Sequence, residues 1–147
     1  MLPSTEQRTP LSVQDPTSAS AKGKVLQTRD GGVVFQPRGT NYELHLQTDT
    51  PYEGAIGKPV TGMIRLHARK VYTVASGGNF IAPIMGTPRT VQGRVLSVAK
   101  DHIVLHAGAP VVIELPSESH AIDLGEGSIA PGVMLNAVVL PGAAYLP

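Results

Sequence analysis

The sequence contains no cysteine and no tryptophan, and only 4% of its residues are aromatic. Without cysteine, disulfide bonds, thiolate zinc sites and cysteine nucleophiles are excluded. No apolar run approaches the roughly 18 residues that a membrane-spanning helix needs, and residues 1–10 lack the apolar stretch of a secretory signal. We therefore expect a cytoplasmic protein without a membrane partner.

Glycine and proline are abundant instead, with 16 and 13 copies. From Ala21 onward they interrupt short runs of valine, isoleucine and leucine. No window of helical length escapes a breaker, whereas strands of about four to eight residues fit between them. The sequence therefore predicts an all-β fold, preceded by a flexible tail of mostly polar residues.

Two segments of the chain repeat one pattern. Residues 23–35 read GKVLQTRDGGVVF and residues 93–105 read GRVLSVAKDHIVL, which align without a gap. With one residue deleted near Arg38, Leu44 aligns with Ile113, and in the same register Leu66 aligns with Leu135. The apolar positions keep a period of two throughout, so we interpret the repeat as an internal tandem duplication.

Each copy is predicted to form a hairpin, a third strand, a longer loop and a fourth strand. The hairpin turns are residues 30–32 and 100–102, and the loop 117–128 is predicted to contain a short helical turn. This order resembles small OB-like barrels. Because a copy of about 55 residues has a marginal core, we expect the two units to pack together. The predicted division is a tail at 1–20, a first β repeat at 21–75, a Gly/Pro-rich connector at 76–91 and a second β repeat at 92–147.

A second family resemblance involves Gly23-Lys24-Val25, Gly57-Lys58-Pro59-Val60 with Ile64-Arg65, Gly93-Arg94-Val95 and Leu124-Gly125. These positions are similar to the tandem molybdate-binding Mop or TOBE domains. The basic, serine-bearing anion motif of that family has no clear match in this chain. The resemblance implies an oxyanion bound at subunit interfaces.

Basic side chains alternate with apolar ones in the stretch GMIRLHARKVYTV, so that one strand face carries Arg65, His67 and Arg69. Residues 21–89 contain nine lysines and arginines against four acids, a formal charge of +5. Residues 90–147 contain two against five, a charge of −3. Such asymmetry favours either a nucleic-acid surface or mutual attraction of the two halves or of two subunits.

The connector between the copies has two interpretations. As a ligand loop, its glycine amides would approach an anion near a basic side chain. As a structural link, its apolar residues would form an added strand or a bridge between the barrels. The candidate anion or nucleic-acid residues from this loop and the basic strand are Arg65, His67, Arg69, Lys70, Tyr72, Gly77, Gly78, Asn79, Phe80 and Arg89.

The fourth strand of the second copy is apolar on both faces, since Met134 and Val138 align with Arg65 and Arg69 of the first copy. A strand of this kind is usually covered on both sides. The covering element is the other repeat, the connector or another chain. The candidate interface residues are Met134, Asn136, Val138, Ile84 and Met85.

The sequence contains no catalytic constellation, and none of the five histidines recurs in the other copy. His45 and His67 are the best candidate pair for a metal, but two ligands without a third do not make a zinc site. We predict no metal and no cofactor, and the sequence does not favour an enzyme.

These observations favour a non-enzymatic tandem β-barrel module that makes protein contacts, either with itself as a homo-oligomer or with another protein. The alternative is an OB-like nucleic-acid-binding protein that uses the basic face of the first repeat. A further alternative is an oxyanion-binding protein of the molybdate type.

Overall fold

The computed structural model describes residues 19–125 and 127–147, so nearly all of the predicted tail lies outside the described residues. The secondary structure of this part of the chain consists mainly of β-strands, and a 3-10 helix occupies Ser119–Ala121. The all-β prediction is confirmed, as is the helical turn in the loop 117–128. Within the described ranges, no helix is long and apolar enough to cross a membrane.

Twelve strands make up one mixed sheet in the described chain. In chain order they are β1 (Ala21–Arg29), β2 (Gly32–Pro37), β3 (Glu43–Gln47), β4 (Pro59–Val74), β5 (Phe80–Ala82), β6 (Met85–Gly86), β7 (Thr90–Val98), β8 (His102–His106), β9 (Pro110–Glu114), β10 (Ile122–Asp123), β11 (Met134–Val139) and β12 (Ala144–Leu146).

The strand pairings close into two circuits. The first circuit runs β1–β2–β3–β12–β4 and returns from β4 to β1. The second runs β7–β8–β9–β4–β11 and returns from β11 to β7. Each circuit contains one parallel pair, β3 with β12 and β9 with β4, and its other pairs are antiparallel. The strand β4 belongs to both circuits.

The long strand β4 passes from one circuit into the other near its middle. Its first residues, 59–62, pair with β1, and residues 68 and 70–74 pair with β11. The strand β12 connects the circuits in the opposite order: it follows β11 of the second circuit in the chain and pairs with β3 and β4 of the first. Each half of the chain therefore supplies the closing strand of the other half.

The two hairpins have matching ladders. The β1–β2 ladder skips Leu26 and the β7–β8 ladder skips Leu96, so each hairpin contains an irregularity at the same point. The predicted turns lie where the sequence places them, and Gly31 adopts a φ of 78° that favours glycine. The corresponding pairs are Val25 with Phe35 and Val95 with Leu105, and then Gln27 with Val34 and Ser97 with Val104.

Beyond the hairpins, the strand pairings match residues of the two copies differently from the sequence alignment. Leu46 pairs with Val33 as Ile113 pairs with Ile103, so Leu46 rather than Leu44 is the counterpart of Ile113. In the fourth strand, Val60 lies opposite Gly23 as Leu135 lies opposite Gly93, which replaces Leu66 by Val60 as the counterpart of Leu135. Both shifts are even, and an even shift leaves the core face unchanged.

The two circuits share one continuous hydrophobic core. Buried residues of the first circuit, such as Val25 and Leu44, belong to the same cluster as Leu105 and Leu135 of the second. A shared core is consistent with the marginal size of either half alone.

The connector contributes two short strands to the sheet. The strand β5 pairs with β7, and β6 pairs with β3 in parallel, at Glu43 with Met85 and Leu44 with Gly86. The connector thus contacts both circuits. This arrangement agrees with its interpretation as a structural link.

Candidate functional site

The basic face of β4 lies on the outside of the sheet. Ile64, Leu66 and Ala68 are buried, whereas His67 and Arg69 are exposed and Arg65 is half-buried. The ladder with β11 pairs Val138 with Lys70 and Val139 with Ala68, so Arg69 is an extra residue in β4. This bulge places Arg69 and Lys70 in succession at the surface.

Glu114 of β9 interrupts the positive charge of this face. Its carboxylate lies 3.4 Å from Nε of Arg65 and 3.7 Å from Nδ1 of His67. The side chains of Arg65 and Glu114 are 41% and 38% exposed, so the pair contributes only about 0–1 kcal/mol to stability. It nevertheless neutralises charge where the sequence predicts a binding surface. The parallel pairing of β9 with β4, which the sequence does not show, brings Glu114 there.

Of the predicted aromatic and arginine partners of the basic face, Tyr72 shares its strand, whereas Phe80 and Arg89 lie outside β4. Tyr72 is half-buried in β4 opposite Asn136, and Phe80 is half-buried in β5 opposite Gln92. The backbone of Arg89 binds the connector and β11 through Ala82 and Val139, and its side chain is exposed. No ring contact joins Tyr72 or Phe80 to another described aromatic residue.

The glycine loop of the connector is tied to the second circuit by side chains. Gln92 donates from Nε2 to the carbonyl oxygen of Gly78 (3.0 Å), and a Cβ at Gly77 would meet that same nitrogen at 2.5 Å. Asn79 Nδ2 lies 3.4 Å from Nδ1 of His106. Through these contacts, the predicted ligand loop holds the connector against β7 and β8.

The candidate interface residues divide into a buried group and an exposed group. Met134 and Asn136 are 4% and 5% exposed, and Asn136 donates to Oε1 of Gln92 (3.0 Å). Val138 is half-buried. Ile84 and Met85, in contrast, are 56% and 62% exposed. In β11, Met134 and Asn136 are therefore covered by other parts of the same chain. Ile84 and Met85 are exposed, which leaves them available to a partner.

His45 and His67, the best candidate pair for a metal in the sequence, lie on strands that do not pair. His45 accepts a hydrogen bond from Arg29 (2.9 Å) on β1, while His67 faces Glu114. The strands β3 and β4 that carry them do not pair with each other. Across the described residues, no group of three histidines and carboxylates could hold a metal ion.

Sequence reasoning did not single out an aromatic cluster at the closing strand of the first circuit. The Tyr145 ring lies 5.0 Å from the Phe35 ring and 6.1 Å from the Tyr52 ring. Burial, with a smaller contribution from Tyr52, raises the pKa of Tyr145. A depression of about 830 Å³ lies beside this cluster, lined by the loop 48–55, Tyr145 and the C-terminal residues.

Sequence reasoning counted Lys22 and Arg38 only toward net charge and singled out Lys24 only as part of the Mop/TOBE resemblance. The structure brings them together around one cavity that no acidic residue lines. The alternation of lysines around Gly23 was the signal that could have identified this surface.

A scan against protein-family models finds no match for the chain, and neither does a search of curated proteins.

Proposed function

We propose that this protein is a non-enzymatic, cytoplasmic binding and assembly module that associates with a second copy of itself. It is built from two OB-like units that arose by tandem duplication and exchanged their closing strands. Ile84 and Met85, which we call the connector tip, form the centre of the contact. The strong exposure of these two adjacent apolar side chains is the observation that carries the proposal.

The matching ladders support the duplication. Each circuit has a hairpin, a third strand parallel to the closing strand and a fourth strand that pairs with the first, an order that supports the OB-like assignment. The hairpins share their irregularity at Leu26 and Leu96. Two unrelated units would have no reason to share both features.

The backbone beside the connector tip supports pairing between copies. In the described chain, β6 pairs with β3 alone, so no other strand pairs with its second edge. Exposed strand edges are templates for pairing with another chain, and a two-fold axis lets the same edge meet itself. An antiparallel contact of β6 with its copy would cover Ile84 and Met85 on both subunits. The second copy is thus the occupant we propose for this edge.

The nucleic-acid alternative receives less support from the geometry. Two of the side chains on the basic face, Arg65 and His67, lie near Glu114. Polyanion binding depends on uncompensated positive charge. The molybdate-type alternative has no matching family model to support it. Both remain predictions from the sequence.

Sedimentation velocity at micromolar concentrations tests the proposal with the variant Ile84→Ser/Met85→Ser. Burying a large apolar side chain stabilises a contact by about 1.5–3 kcal/mol. Removing two from the contact should therefore weaken the dimer at least about tenfold. We expect the natural protein to be a dimer and the double variant a folded monomer.

The matched control is Ile56→Ser/Leu124→Ser, which removes two comparably exposed apolar residues, at 47% and 45% exposure, from loops outside the connector tip. It should leave the dimer intact. A natural protein that sediments as a monomer would contradict the proposal, and so would a control variant that dissociates as readily as the connector-tip variant.

A further inference from the structure

Two adjoining cavities form a basic groove on the first circuit, extending toward the second. The larger, about 320 Å³, is lined by Lys22, Lys24 and Arg38. The neighbouring cavity, about 270 Å³, shares Lys22 and Arg38 and reaches His106 of β8. Lys22 and Arg38 therefore line both cavities of the basic groove, and Lys24 lines the larger one.

Backbone pairing fixes the spacing of these cations. Lys22 and Lys24 are alternate residues of β1, so their side chains leave the same face about 7 Å apart. Both are exposed, and β1 is held on either side by β2 and β4. The backbone nitrogen of Arg38 donates to the carbonyl oxygen of Lys22 (2.8 Å), which keeps the arginine beside this strand.

The charge of the basic groove is uncompensated in the described structure. No aspartate or glutamate lines either cavity, and none of the ion pairs between described residues includes Lys22, Lys24 or Arg38. The β4 face differs in this respect, since Glu114 lies between its cations. The basic groove is thus the better candidate for an anion.

The chemistry of the lining points to phosphate groups. Lysine ammonium and arginine guanidinium groups are the side chains that bind phosphate oxygens most strongly in proteins. Gln36 and Thr61 add neutral donors to the larger cavity. Lys22 and Lys24 are spaced about 7 Å apart on β1, so linked phosphates can contact several of these cations at once more readily than a single small oxyanion can. A chain of phosphates is therefore the ligand that uses the whole groove.

We propose that the basic groove binds a run of linked phosphate groups, through Lys22, Lys24 and Arg38. The phosphates come either from a short polyphosphate or from the backbone of single-stranded nucleic acid. Isothermal titration calorimetry at low salt tests this with three probes, which are inorganic phosphate, sodium tripolyphosphate and a short oligothymidylate. We expect saturable binding of at least one linked probe, with inorganic phosphate binding at least about tenfold more weakly.

Variants locate the binding to the groove. Lys22→Gln/Arg38→Gln removes two cations whose side chains are exposed, and circular dichroism checks that the fold is retained. We expect at least about a tenfold loss of affinity for the probe that binds, since charge-assisted bonds are lost. If that probe is the oligothymidylate, the slope of log affinity against log salt should also fall by roughly 0.7 for each phosphate contact removed.

The matched control, Arg29→Gln/Lys100→Gln, removes one arginine and one lysine from exposed positions outside both cavities. It should retain affinity within about twofold if the groove is a specific site. Binding of tripolyphosphate alone, or of the oligothymidylate alone, supports the proposal and identifies the source of the phosphates. Absence of binding by both linked probes, or equal losses in the groove variant and the control, would overturn it.

Discussion

Gly62 shows how one missing side chain determines the packing of the first circuit. A Cβ at this position would lie 2.5 Å from Cε1, Cζ and the hydroxyl oxygen of Tyr145. The Tyr145 side chain is 2% exposed and its ring lies 5.0 Å from that of Phe35. Because this ring is packed in the core, a Cβ at position 62 could be accommodated only if the ring shifted. The absence of a side chain at Gly62 therefore leaves the space that the ring of Tyr145 occupies.

Replacing Gly62→Ala should lower the free energy of unfolding by about 1–3 kcal/mol, the usual effect of overpacking a core. Urea denaturation measures this change. Gly78→Ala is the matched control, because a Cβ there meets no atom within 4 Å and the change should be nearly neutral. In a Tyr145→Leu background, which shortens the side chain that would clash, Gly62→Ala should be less costly. An equal effect in both backgrounds would show that Tyr145 is not the cause.

At the level of the strands, local signals in the sequence were enough for part of the fold. The all-β class and the hairpin turn at 30–32 follow from glycine positions and apolar alternation, whereas the turn at 100–102, which contains no glycine, follows from its alignment with the first. The correspondence after the hairpins did not follow, because the connecting segments differ in length, 38–42 against 107–109 before the third strand and 48–58 against 115–133 before the fourth. Alternation specifies which face of a strand is buried but not how many residues a loop contains.

The exchange of closing strands also has no local signal in the sequence. β4 runs straight from one circuit to the other, whereas β11 and β12 are separated by Pro141 and Gly142, which adopts a φ of 105°. Both arrangements leave the inward alternation intact. The partner of a strand's second half depends on contacts distant in sequence, as does the position of Glu114 beside Arg65. For the same reason, the neutralised charge of the candidate site could not be predicted.

Truncation after Ala143 tests the role of the exchanged strand. Losing β12 removes Tyr145 from the core and opens the first circuit between β3 and β4, while the strands of the second circuit remain. We expect amide protection to fall in β1–β3 by more than in β7–β9, as measured by hydrogen exchange. Full-length Tyr145→Leu separates the side chain from the strand and should show a smaller loss. Equal losses in the two hairpins would contradict this division.

For the whole molecule, the opposed charges of the two halves are already used in one internal contact. Residues 21–89 carry a formal charge of +5 and residues 90–147 carry −3. Arg65 of the positive half meets Glu114 of the negative half across the β4–β9 pairing. The sequence offered attraction between subunits as a second use for this asymmetry. The contact proposed at the connector tip is of a different kind, because Ile84 and Met85 carry no charge.

Salt distinguishes these two modes of association. Between about 0.1 M and 1 M salt, the Debye length falls from about 10 Å to about 3 Å, so exposed opposite charges attract much less. Apolar contacts are not screened in this way. We therefore expect the dissociation constant of the dimer, measured by sedimentation, to change less than about threefold over this range. Glu114→Gln, which alters the charge balance away from the connector tip, should leave it similarly unchanged. Weakening by tenfold or more in high salt would instead mean that the two halves attract each other between subunits and that the connector tip is not the main contact, because only a charge-driven dimer responds to screening.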